Sequence, residues 1–168
     1  MTPRNLPVSF LAACFLLMGC PLIQGQTGGG PVAPSSGKAL CSALTPADFT
    51  KAGVPVSALR QANLDGNDGA YCVYDSKAGN VEFDIFFPAG ANQVEINATE
   101  KTVLAEMGAP HQAVPLMGGT GHIALDAKSA SLVVRKGSAV FAITIPKSDN
   151  ARQQLIALAQ LVLGRIKQ

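Results

Sequence analysis

The sequence predicts an α+β domain: an antiparallel sheet of about five strands with helices packed on one face, in the order α-β-β-α-β-β-β-α. Three observations predict it. Val81, Phe83, Ile85 and Phe87 alternate with Glu82 and Asp84, the period-two pattern of a strand with one buried face. The runs Ser131 to Lys136 and Ser138 to Pro146 are rich in apolar and β-branched residues and meet at a tight Lys136-Gly137-Ser138 turn. Near the C-terminus, Leu155, Leu158, Ala159, Val162, Leu163 and Ile166 recur at helical spacing.

Each element has its own local signals. Thr45 is placed to cap a short helix, Pro46 suits its first position and Asp48 lies among its free amides. Leu44 and Phe49 stand where a hydrophobic staple forms, and Gly53 ends the helix. Residues Val54 to Gly69 carry weak signals, with a short strand or turn around Val56 to Leu64. Ala70 to Asp75 and Val81 to Phe87 form a hairpin about the Gly-containing segment Ser76 to Asn80. From Ala91 to Met107 the pattern is helical, with Ile96, Thr99, Val103 and Met107 in one stripe and Gly108-Ala109-Pro110 as the stop. His122 to Asp126 begins a three-stranded meander. The final helix runs from Asp149 to Ile166, with Ser148 or Asp149 available as its cap.

Ahead of this domain the chain reads as an address. Arg4, the nearly charge-free stretch Leu6 to Gly19, and Leu17-Met18-Gly19-Cys20 have the form of an export signal closed by a lipobox. The apolar run is short for a bilayer span. The expected organisation is a signal peptide over 1–19, a lipid-anchored flexible tether over 20–39 with Cys20 lipidated, and a single domain over 40–168. Ordinary cleavage after Ile23-Gln24-Gly25, giving a secreted or soluble periplasmic chain, is the alternative. The tether is Gly, Pro and Ser with few apolar side chains, so it cannot offset the cost of ordering; as coil it spans about 24 Å.

Composition narrows the function classes. The 168 residues include thirteen Lys and Arg, of which Arg4 leaves with the leader, against eleven Asp and Glu. Neither sign forms a run, so the chain has no electrostatic footprint for nucleic acid or for anionic lipid. With no Trp and two Tyr it offers no aromatic platform for sugars or bases. Of four cysteines, Cys14 leaves with the leader and Cys20 takes the lipid, so Cys41 and Cys72 remain to pair in an oxidising compartment. Their spacing lacks the closeness of a Cys-x-x-Cys redox or metal site.

Cys-Ser-Ala-Leu-Thr-Pro-Ala-Asp at 41–48, Cys-Val-Tyr at 72–74, and VPLMGGTGHIALDAKSASLVVRKGSAVFAITI at 114–145 before an amphipathic helix together resemble uncharacterised bacterial lipoproteins, including the DUF3558-like group. The resemblance covers residues 40–166. It implies export, a disulfide and an α+β domain, and it brings no activity with it. The acidic residue that commonly follows the Gly-x-Gly turn in that group is replaced here by His122.

No catalytic signature emerges. Asp65-Gly66-Asn67-Asp68-Gly69 has acids at the wrong offsets for a calcium loop, and Ser76 stands where a bidentate Glu belongs. Gly118 to Gly121 lacks the Lys-Ser/Thr pair and following helix of a phosphate cradle. His111 and His122, with Asp126, Ser129 and Ser131 nearby, form no nucleophile elbow. Glu82 and Asp84 share a strand face that solvent alone explains. One cluster stands out: Met107, His111, Met117 and His122, a soft thioether and imidazole set of the kind that holds Cu(I). The expectation is a non-enzymatic envelope protein, facing the periplasm or exterior, with no cofactor. Its role is binding or assembly, its partners the membrane through the anchor and an envelope protein; a copper or small-ligand carrier is the alternative.

Overall fold

The computed structural model describes residues 37–65, 69–87, 92–108 and 110–166. The expected signal peptide, Cys20 and nearly all of the tether lie outside them. Among the described residues four helices and seven strands follow in the order α1 (Gly37–Cys41), α2 (Pro46–Lys51), β1 (Ala58–Asp65), β2 (Gly69–Asp75), β3 (Val81–Phe86), α3 (Gln93–Glu106), β4 (His111–Leu116), β5 (Gly119–Leu125), β6 (Ser129–Lys136), β7 (Ala139–Pro146) and α4 (Ala151–Arg165). The fold is α+β with an antiparallel sheet, and the sheet holds seven strands instead of about five, ordered β1-β2-β3-β7-β6-β5-β4. The expected element order is corrected by the same two strands, β1 and β4, and by α1, which begins inside the expected tether at Gly37.

Two meanders, β1 to β3 and β4 to β7, meet along the β3–β7 seam, where Glu82 pairs with Thr144 and Phe86 with Val140. The two extra strands are the sheet's edges. An edge strand packs on fewer neighbours and keeps no clean alternation, and β4 carries Pro115, which only an edge tolerates.

One face of the sheet buries the main core. Cys72, Tyr74, Phe83, Phe141 and Ile143 pack there against Leu44 and Phe49 from the N-terminal segment and Leu155, Leu158 and Val162 from α4. Thr45 and Asp48 close a capping box at α2, Pro46 opens that helix, and both staple residues are fully buried. Gly53, at φ +81°, ends the turn after α2 in a conformation that other residues rarely adopt. Neither Ser148 nor Asp149 caps α4: Asn150 is its N-cap and makes no side-chain cap bond, while the Ser148 hydroxyl donates to Gln154 Oε1 at 2.9 Å. At the other end Lys136 Nζ donates to the carbonyls of Leu163 and Ile166 at 2.6 and 2.8 Å.

The expectation that all helices pack on one face is also corrected. Ile96 and Val103 of α3 bury against Val133, Val140 and Ala142, the residues of β6 and β7 that point away from α4. The chain must cross from β3 at the sheet's centre to β4 at its far edge, and α3 makes that crossing over the second face. β7 shows why the face needs cover: Ala139 to Ile143 are buried without alternation, the mark of a strand covered on both sides.

Candidate functional site

On this second face, register places side chains in rows across the sheet. Val73, Glu82, Thr144, Ser131, Ala124 and His111 form one row; Tyr71, Asp84, Ala142, Val133, His122 and Ala113 form the next. α3 lies over the β6 and β7 portion of these rows. Arg135 fastens it there, donating to Asn97 Oδ1 at 2.7 Å and to Glu100 Oε2 at 3.1 Å.

What α3 leaves uncovered is a groove of about 680 Å³ along its flank. Tyr71, Glu82, Asp84, Ser131 and Thr144 supply polar groups to it, while Phe86, Val103, Met107 and Val133 line it with apolar surface. Ser131 and Thr144 hydroxyls hydrogen-bond at 3.0 Å. Burial, then the charge and hydrogen bond of Glu82, then Asp84, push the Tyr71 phenol up, so it stays protonated as a donor. Asp126 rims the groove and is held down to about 2, because the amides of Ser129 and Lys128 and the Ser129 hydroxyl all donate to it. Together Glu82, Asp84, Glu106 and Asp126 put four carboxylates around the groove, and no Lys or Arg lines it among the described residues. Glu82 and Asp84, expected on a solvated face, are half-buried in the groove instead. Ser129, Ser131 and Asp126 also reach it, in a polar turn and strand and without a histidine among the lining residues. The signal for the groove in the sequence was Glu82 and Asp84 on one face; that α3 would stand beside them was not visible from spacing.

The other singled-out residues divide. Cys41 and Cys72 are joined, sulfur to sulfur at 2.05 Å, tying α1 to β2. Of the Met and His cluster only two members come together: the His111 and His122 rings lie with centroids 5.1 Å apart and planes at 90°. Met107 packs into the apolar cluster under α3. Met117, 82% exposed, stands in the turn at the opposite end of the β4–β5 ladder from His111, so the four do not form the expected soft-metal set. Among the described residues no three of His, Cys, Asp and Glu group closely enough to hold a metal ion.

No protein-family model and no curated protein matches this chain. Among solved structures it is similar to a GTP-binding regulator from Thermotoga maritima, at 10% sequence identity and a TM-score of 0.39, over 71% of this chain and 90% of that one. Among the described residues no helix is long and apolar enough to cross a membrane.

Proposed function

We propose that this protein is an exported, lipid-anchored envelope domain, akin to the DUF3558-like lipoproteins, whose work is binding and not catalysis. The groove beside α3 carries this reading. A concave surface with a polar floor and an apolar wall is the ordinary form of a ligand site, and the carboxylates of Glu82, Glu106 and Asp126 around it, with no Lys or Arg among the described lining residues, favour a partner that presents positive charge on an apolar body. A basic, amphipathic segment of another envelope protein has that chemistry. The leader, the lipobox at Cys20 and the Cys41–Cys72 bond support an extracytoplasmic setting.

The test is native mass spectrometry of the protein extracted gently from its envelope, beside a Glu82→Gln, Asp84→Asn double variant. The expected result is added mass on the first that is lost from the second. A bare monomer from both overturns the binding reading. The anchor is tested in the same strain: Cys20→Ala should release the domain into the soluble fraction, and unchanged membrane association removes lipidation from the proposal.

A further inference from the structure

His111 and His122 are the only two histidines of the chain, and the fold places them on one face of one ladder. His111 pairs with Ala124 and His122 with Ala113, so the two imidazoles occupy one diagonal of a four-residue patch and two alanines occupy the other. No bulky side chain from these paired positions stands between the rings. The strands fix their spacing, since β4 and β5 are paired through six consecutive residues. His111 is exposed and His122 half-buried, so the patch opens to solvent.

The spacing fits a chemical purpose. Two imidazoles that share one ion through nitrogens at about 2.1 Å, with an angle of about 90–110° at the metal, hold their ring centroids about 4.5–5.3 Å apart. The observed separation is 5.1 Å with the ring planes at 90°, a twist that two rings bound in-plane to one ion can take. We propose that His111 and His122 form a two-imidazole chelate for a borderline divalent cation, with water completing its coordination. Neutral imidazole suits Cu(II), Ni(II) and Zn(II), and without a converging thioether the site loses the Cu(I) preference that a Met and His set carries. Cu(II) should bind most tightly of the three. The site stands apart from the groove reading: neither histidine lines the groove.

The experiment is titration of the full exported protein, extracted in detergent, with Cu(II) and separately with Zn(II), alongside His111→Ala, His122→Ala and the double variant. With both ligands on one ion, each single variant should lose tenfold or more in affinity and approach the double variant. The electron paramagnetic resonance spectrum of the Cu(II) form should show two equatorial imidazole nitrogens, falling to one in either single variant. Single variants that keep the parent affinity overturn the chelate. So does a spectrum showing one imidazole in the parent protein, which would mean that the rings only stack edge to face. Because His111 is exposed on an edge strand, His111→Ala keeps the fold, and its result decides the matter even where His122→Ala melts early.

Discussion

Asp48 shows how one side chain holds two distant ends of the sequence. Its carboxylate accepts from Thr45 N at 2.8 Å and Thr45 Oγ1 at 2.7 Å, closing the cap of α2. It also accepts both arms of the Arg165 guanidinium, at 2.6 and 2.8 Å, from the last turn of α4. The Arg165 bonds, then the Thr45 hydroxyl and amide, hold this carboxyl well below the usual carboxylate range against an opposing cost of burial. A carboxyl lowered on folding contributes stability that is present above its unfolded value of about 3.9 and is lost as pH falls below it. Asp48→Asn should therefore cost about 1–3 kcal/mol near neutrality, discounted because Arg165 is partly exposed. Urea unfolding at stepped pH should also show a shallower loss for the variant than for the parent below about pH 4. Some slope remains in the variant, since Asp126 is lowered too. The Thr45 half of this arrangement was legible in the sequence because a cap is local. Arg165, 117 positions away, was not, since no local pattern records a partner across the fold.

At the scale of elements, α4 is held by means its own sequence lacks. Its N-cap makes no side-chain bond, and its free C-terminal carbonyls are met by Lys136 from the end of β6. Lys136→Met keeps much of the apolar stem but removes the donor, and should lower stability by about 0.5–2 kcal/mol in thermal unfolding. An unchanged melting temperature would assign that capping to water. The strongly periodic elements, β3 and α4, were legible because a buried face writes its period into the chain. β1 was read only as a short strand or turn, its alternation broken by a bulge between Leu59 and Gln61, and β4 was not read at all, because at a sheet edge most of its side chains meet solvent and the period fades. The unbroken apolar run Ala139 to Ile143 was the sign in the sequence that β7 would be covered on both sides, and it was read only as a strand.

Over the whole molecule, the Cys41–Cys72 bond closes a loop of sequence separation 31, which on a chain-entropy account stabilises the fold by about 3–4 kcal/mol. Cys72→Ser, or reductant, should lower the melting temperature of the protein accordingly, and indifference to both would mean that the bond adds nothing to its stability. The pairing was legible from the counting of cysteines. The groove and the histidine patch were half legible: their residues stood out, but only the crossing of α3 and the register of β4 on β5 decided which of them meet. The β3–β7 seam carries one more consequence. Residues 82–86 find their partners at 140–144, so a chain made from its N-terminus exposes β3 as an open edge until nearly all of it has been synthesised. Such a chain can pair β1, β2 and β3 early but cannot complete its sheet until β7 is made. Until the last strand arrives, that open edge is where a holding chaperone would have most to protect.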